Sequence, residues 1–339
     1  MRDFFIFSLM TKITFATGLI SLIFSLSSCN LTQRSVEENE QTNVLYSRGV
    51  STISESSVTE KMEYLTSDEL MGRETGTEGI EKAAKYIEAA FGAAGITPYY
   101  SIYRDSFEVK GRTGYNIVGY IEGSDPKLKN EFVIVGAHYD HIGLGKVVNG
   151  DSIANGANDN AAGTVAVLEL AKHFAAERSN KRSMLFILFS AEEMGLVGAK
   201  HIANRLKKEE LDLYTMISFE MIGVPMQGKD HHAYLTGYEI SNMADKFNEY
   251  AGEKVLGFLP QAKQFNLFQR SDNYPFYEEF KIPAQTISTF DFTNYEFYHH
   301  VSDELQHMDI PHMVYLIKRI VPGIQGITNS AEKEIKMTE

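Results

Sequence analysis

The stretch that decides the fold is Phe132-Val133-Ile134-Val135-Gly136-Ala137-His138-Tyr139-Asp140-His141. Phe132 to Ala137 form an apolar run too short for a helix and without the alternation of a half-exposed strand. It predicts a strand buried on both faces. Such strands belong to sheets covered by helices on both sides. Directly behind the run stand His138, Asp140 and His141. In an open α/β sheet, ligands bind beyond the carboxyl ends of the strands, so this one stretch sets the fold class and marks a site.

The same arrangement recurs further along the chain. Met184 to Phe189 is a second apolar run, followed by Ser190-Ala191-Glu192-Glu193-Met194-Gly195. Met216 to Phe219 is a third, followed by Glu220. Tyr115–Ile121 and Ala284–Ser288 read as further strands. Helical periodicity fills the intervals. Ser57–Leu70 carries a stripe of Val58, Met62, Leu65 and Leu70. Ile80–Ala94 turns Ala83, Ala84, Ile87, Ala90 and Phe91 to one face, and Gly95 ends it. Ala161–Ala176, Leu196–Leu206, Ile240–Tyr250 and Ile310–Ile327 are the other helices. This alternation predicts a single α/β domain over residues 52–330, with a central, mostly parallel mixed sheet and helices on both faces. Residues 331–339 read as a polar tail.

The 339 residues suffice for a large core, and 43% hydrophobic with 23% charged residues is ordinary for a soluble globular protein. The net charge of −13, with no long basic run, argues against a nucleic-acid partner. The one cysteine, Cys29, rules out a disulfide within the chain. Residues 1–28 read as a signal peptide: Arg2 and Lys12 supply positive charge, and Ile13–Leu26 is an apolar stretch too short for a comfortable span. Met10 is an alternative start. Leu26-Ser27-Ser28-Cys29 looks like a bacterial lipoprotein cleavage site, with Cys29 as the lipid-bearing first residue of the mature chain. An ordinary signal peptide with a chance cysteine is the competing reading. Residues 29–51 are polar and aperiodic, as a flexible tether would be. The expectation is an exported lipoprotein, anchored to a membrane on its periplasmic or cell-surface face.

Each candidate cluster has an ordinary structural explanation beside the chemical one. His138-x-Asp140 could be a polar loop, or a zinc-binding imidazole with a carboxylate to hold its ring. Asn158-Asp159-Asn160 precedes a helix and is rich in capping residues, yet Asp159 is also a candidate to bridge two metals. Ser190 to Glu193 has the spacing of a capping box. That does not explain why an apolar strand delivers two adjacent acids, of which one could bind metal and the other move a proton. Glu220 is a single acid at a strand end, and Tyr298-His299-His300 with Asp303 comes much later. Together they supply a mixed nitrogen and oxygen donor set that suits an open zinc site, with no thiolate in competition.

At this point the residues resemble peptidase family M28, which shares the aminopeptidase/glutaminyl cyclase fold. The resemblance spans roughly residues 55–330. It takes in Leu65-Thr66-Ser67-Asp68-Glu69-Leu70-Met71-Gly72-Arg73 with Gly76-Thr77, the clusters above, Glu192-Glu193-x-Gly195-Leu196-x-Gly198, Glu220-Met221-Ile222-Gly223, Ser271-Asp272, and Tyr298-His299 with Asp303. It implies a peptidase with two zinc ions acting on a peptide substrate. His138 and Glu220 would bind one metal, Glu193 and His299 the other, and Asp159 both. Glu192 would be the general base that takes a proton from water and returns it to the leaving amine. Asp140 would orient its neighbouring ligand, and Tyr298 would stabilise the oxyanion. His299 is chosen over His300 because the family's histidine lies four residues before an Asp, here Asp303. The family often has a cis peptide after the bridging Asp, here Asp159–Asn160. Glu220 departs from the family's usual Asp.

Three other readings compete: a glutaminyl cyclase with a single zinc, a binding protein on a peptidase fold that has lost its chemistry, and a metal-dependent phosphoesterase. No ligand position is lost and no cationic phosphate cradle is evident, so an exopeptidase of aminopeptidase type is favoured. Phe265, Phe268, Phe276, Tyr277, Phe290, Phe292 and Phe297 suggest an apolar substrate pocket, with about half of them expected in the core. Arg270 is a candidate for a substrate carboxylate.

Overall fold

Strands β4 (Phe132–His138), β7 (Ser183–Phe189), β8 (Leu213–Glu220) and β11 (Ala284–Ser288) form the parallel centre of the sheet, side by side in the order β7-β4-β8-β11. Their side chains alternate between two cores. In β7, Met184, Phe186 and Leu188 pack on one face, and Leu185, Ile187 and Phe189 on the other. Both faces are dry, which is why the strand is a continuous apolar run. The first core is closed by α1 (Glu55–Leu65), α2 (Glu78–Ala93), α3 (Gly163–Glu177), α5 (Met243–Ala251) and α8 (Ile310–Asn329). The second is closed by α4 (Val197–Lys208) and α7 (Asn273–Phe280). This is the mixed sheet between helical layers that the sequence predicts.

We describe residues 52–338 from a computed structural model. The predicted signal peptide, Cys29 and the whole of the predicted tether lie outside the described residues. No helix among the described residues is long and apolar enough to cross a membrane.

The sheet is extended by the strand expected over Tyr115–Ile121, which is β3 (Arg112–Ile121), and by further elements that the sequence pattern does not reveal. β3 runs antiparallel to β7, and β1 (Thr97–Pro98) and β2 (Arg104–Val109) both pair with β3. On the far side, β9 (Ala233–Leu235) is antiparallel to β11 and carries β10 (Leu256–Gly257). A separate hairpin, β5 (Leu144–Val148) with β6 (Asp151–Ile153), follows the His138 cluster, and a short helix, α6, covers Pro260–Gln264.

One helix is shorter than its apolar stripe predicts. α1 stops at Leu65, and Thr66 turns both its N–H and its hydroxyl back to the carbonyl of Met62. Asp68–Arg73 then forms a separate 3-10 turn, kinked at Met71 and Gly72. Gly72 has φ +69°, and a Cβ there would stand 2.3 Å from the carbonyl oxygen of Gly143. A continued helix could not make that close approach. At the other end, residues after Asn329 return to the domain. Ile335 is buried, and its N–H donates to the hydroxyl of Tyr214 at 2.7 Å. The polar composition of this segment conceals a docked strand-like end that pairs Met337 with Ser241.

From β4 the chain passes through α3 to β7 on one side, then through α4 to β8 on the other. The order therefore reverses around β4, and its carboxyl end, where His138 sits, is the crevice such sheets offer to ligands.

Candidate metal centre

The ends of three adjacent parallel strands deliver the acids and imidazoles. His138 closes β4, Glu220 closes β8, and Glu192 and Glu193 follow β7. Asp159 comes from the π-helical turn Ala157–Ala162 before α3. That turn is tied down from two sides. Asp303 accepts the N–H groups of Asn158 and Asp159 at 2.8 and 3.0 Å, and the hydroxyl of Tyr295 at 2.5 Å. Asn160 donates to the carbonyl of Phe219 at 2.8 Å and accepts the N–H of Met221 at 3.1 Å, locking the turn to the end of β8. Asp159–Asn160 is a cis peptide.

Two groups of donors meet at Asp159. In the first, His138 Nε2 lies 3.5 Å from Asp159 Oδ1 and 3.3 Å from Glu220 Oε2. In the second, Asp159 Oδ2 and Glu193 are faced by His141 and by His299. His299 Nε2 is 3.3 Å from Asp159 Oδ2 and 3.1 Å from Glu193 Oε2. His300 turns elsewhere: its Nδ1 accepts the N–H of Ser302 at 3.0 Å, and its ring leans on Phe297. His141 is a site residue for which the sequence offers no signal beyond its place in the His138 loop.

Asp140 acts with both its backbone and its side chain. Its carbonyl oxygen is 3.1 Å from His138 Nδ1, which orients that ring, while its carboxylate oxygen is 3.7 Å away. The carboxylate instead accepts the N–H of Glu192 at 3.1 Å and that of Glu193 at 3.4 Å, fixing the two-acid loop. Ser271 donates its hydroxyl to Glu220 Oε2 at 3.1 Å. Asp272 beside it is fully buried, and neither of its oxygens has a hydrogen-bond partner among the described residues.

The charges fit a cationic occupant. Burial, with Asp272, Glu220 and Glu193 close by, pushes the Glu192 carboxyl well above its usual range despite His138. Burial does the same to Asp272, and Asp140 is pushed up to about 6. Burial opposes the His299 imidazolium, yet Asp159 and Glu193 raise it to about 10. The buried cation nearby, Arg73, spends its donors on backbone carbonyls of Tyr139, Leu65, Asn155 and Gly156. The cluster thus has more buried negative charge than the described residues neutralise, and Asp159 Oδ2 lacks a hydrogen-bond partner among them. The His138 and His299 contacts, at 3.1–3.5 Å, are long for charge-assisted hydrogen bonds, which run to about 2.7–2.9 Å. They match neighbouring ligands on a shared zinc ion, since bonds of about 2.0–2.1 Å at tetrahedral angles set donors about 3.4 Å apart. The donor set fits divalent metal.

The acids open onto a cleft of about 610 Å³, walled by Met221, Leu267, Phe290 and Phe292 together with hydroxyls of Thr236, Thr286 and Ser288. Glu192 and Tyr298 line it, and among the described residues Arg270 is the only Arg or Lys that does. The ring of Tyr298 stacks on His299 at 3.9 Å. Of the aromatic residues singled out from the sequence, Phe290 and Phe292 reach the cleft. Phe265 packs on Phe292 with ring centroids 4.6 Å apart and the rings tilted by 43°, while Phe276 is core and Phe297 packs against His307.

Residues 116–320 match the model of peptidase family M28, a span that contains every candidate ligand. The chain belongs to peptidase family M28. It is 31% identical over 209 residues to leupeptin-inactivating enzyme 1 of Streptomyces exfoliatus, which covers 60% of this chain and 42% of that protein. The chain thus spans less than half the length of that curated relative. Among solved structures, the LapA aminopeptidase of Legionella pneumophila superposes with a TM-score of 0.65 at 20% identity, covering 85% of this chain and 75% of that one. The glutaminyl cyclase of Fimbriiglobus ruber superposes with a TM-score of 0.63 at 18% identity, over 81% of this chain and 95% of that one. At these identities the likeness speaks to the fold, and the M28 fold serves both chemistries.

Proposed function

We propose that this M28 protein is a zinc-dependent exopeptidase of aminopeptidase type. One observation carries the reading: two groups of metal donors share Asp159, and the unshared acid Glu192 lines the cleft beside them. Two zinc ions, when bound, would supply Lewis acidity, polarising a scissile carbonyl and lowering the pKa of water. His138, Glu220 and Asp159 would hold one, and Glu193, His299 and Asp159 the other. Glu192 takes a proton from the attacking water and passes it to the leaving amine. Its high proton affinity in the absence of metal, set by burial and neighbouring acids, suits a group that must hold the proton between those two events. Tyr298 lines the cleft, and its hydroxyl would donate to the oxyanion. Asp140 keeps Glu192 and His138 in place. The walls of Leu267, Phe290 and Phe292 suit an apolar substrate side chain.

A single-zinc cyclase would have no use for a complete second donor group, and here both groups are complete. Glu192→Gln is the test. It should keep the metal content of the wild type and lower hydrolysis of amino-acid p-nitroanilides by about 10²–10⁴-fold. A near-normal rate would remove Glu192 from the mechanism. Hydrolysis confined to dipeptides with a free carboxylate would move the specificity to a dipeptidase or carboxypeptidase.

We also propose that the chain is exported and lipid-anchored through Cys29, on the strength of the apolar leader and Leu26-Ser27-Ser28-Cys29. Labelled fatty acid should enter the wild type and not Cys29→Ser.

A further inference from the structure

Three imidazoles reach the acidic cluster, and the mechanism above uses two. His141 is buried, and its backbone N–H donates to the carbonyl of Arg73 at 3.3 Å. Gly156, at φ +58°, leaves room for the ring: a Cβ there would stand 2.6 Å from His141 Cγ. Held in this way, the ring points Nδ1 into the second donor group, 2.9 Å from Glu193 Oε1 and 3.7 Å from Asp159 Oδ2. Nε2 is buried with no hydrogen-bond partner among the described residues, so the ring's polar contacts there all pass through Nδ1. His299 approaches the same two carboxylates from the cleft side, and the two rings meet edge to face at 5.8 Å.

A hydrogen bond from His141 to Glu193 accounts for the first of these distances. It does not account for the ring's approach to Asp159 Oδ2, an oxygen that itself lacks a hydrogen-bond partner among the described residues. Ligands on one zinc ion stand about 2.9 Å apart at a right angle and about 3.4 Å apart at a tetrahedral angle. The approaches of His141 and His299 to Glu193 and Asp159, from 2.9 to 3.7 Å, lie around those separations.

We infer that His141 Nδ1 is a fourth protein donor at the second site, beside His299, Glu193 and Asp159. The inference rests on the metallopeptidase reading. It makes the two sites unequal, since the first has only His138, Glu220 and Asp159. The second site fills first and releases its ion last, and the open coordination positions on the cleft side belong mainly to the first.

X-ray absorption on the zinc-loaded wild type should count three imidazoles over two ions, falling to two in His141→Ala. In chelator competition, His141→Ala should weaken the tighter site roughly 10-fold or more. His300→Ala should not change it. His141→Asn keeps an N–H that can reach Glu193 but is a poor zinc ligand, and it should bind no better than the Ala variant. Two imidazoles over two ions in the wild type, or full affinity in His141→Asn, would overturn the inference while leaving the peptidase reading intact. A wild type that binds no zinc would overturn both.

Discussion

Arg73→Met should cost this protein much of its stability. The guanidinium is almost wholly buried and pairs with no carboxylate among the described residues. Nε donates to the carbonyl of Tyr139 at 2.9 Å, and NH2 to that of Gly156 at 3.0 Å. NH1 serves Asn155 at 2.6 Å and also Leu65. Burial pushes its pKa down to about 10, with Asp303, Asp140, Asp159 and Glu193 pulling the other way, so it remains charged at neutral pH. Methionine fills similar space and leaves those carbonyls without the guanidinium. Gly156 keeps the N–H of Ala161 at 3.2 Å. The other three, at about 1–3 kcal/mol for each unmet buried group, sum to about 3–9 kcal/mol. That is a large part of the 5–15 kcal/mol typical of a folded domain. At about 2 °C per kcal/mol for a chain of this size, the melting temperature should fall by roughly 6–18 °C. Arg73→Lys, with a point donor that can satisfy one or two of the carbonyls, should fall about half as far. Tyr139 lies between His138 and Asp140, and Asn155-Gly156 leads to Asp159, so the Met variant should also bind zinc more weakly. Calorimetry that finds the Met variant within about 2 °C of the wild type would refute the argument that this residue straps the ligand loops together.

Two shorter tests address the donors and the surface. His299→Ala should lower zinc content measured by mass spectrometry and His300→Ala should not; the reverse would exchange their roles. The contact with Arg104, helped by Tyr115 and opposed by burial, lowers the Glu81 carboxyl to about 2. Its stabilisation is therefore present above pH 4.5 and is lost as the pH falls from there toward 2. Glu81→Gln should melt about 2–4 °C below the wild type at pH 7, for a screened pair worth about 1 kcal/mol, with the gap closing below pH 4.5. A gap that is constant across that range would show that the charge is not responsible.

The parts of the fold visible in the sequence are those whose environment is uniform along an element. β4, β7, β8 and β11 are buried on both faces, so each reads as an apolar run, and the acids behind them inherit that clarity. β2 exposes Arg104, Ser106 and Glu108 on alternate positions, and its apolar side alone is too sparse to announce a strand. α7 begins Asn273-Tyr274-Pro275 and owes its existence to Phe276 packing in the second core, a tertiary contact that propensity does not contain. The apolar stripe of α1 continues through Leu70 because Leu70 also reaches the core, although from a separate turn. Within the site, His299 stands on a loop with no strand to mark it, and only the family pattern points there. His141 had no such pattern. What brings it to Glu193 is the left-handed backbone at Gly156 and the fold of Arg73 over the same loop, both contacts between residues far apart in sequence.

Glu220, where the family usually has Asp, tests how rigid the strand edge is. Its carboxylate oxygens both lie 3.3 Å from His138 Nε2, and Oε2 accepts the hydroxyl of Ser271. The backbone at this point is held by pairing with Ser288 of β11 and by Asn160, which grips the residues on either side. Glu220→Asp withdraws the carboxylate by one carbon–carbon bond, about 1.5 Å, and the strand cannot advance to compensate without breaking those contacts. The shorter acid should lose Ser271 and stand too far from His138 to share a metal with it. First-site affinity in chelator competition should then fall roughly 10-fold, with a smaller loss for Ser271→Ala. The family's preference for Asp at this position would suggest the opposite result, affinity equal to or above that of the wild type. If Glu220→Asp binds zinc as tightly as the parent, the edge of β8 yields by an ångström or more, and the geometry of the first site is set by the metal instead of by the strand.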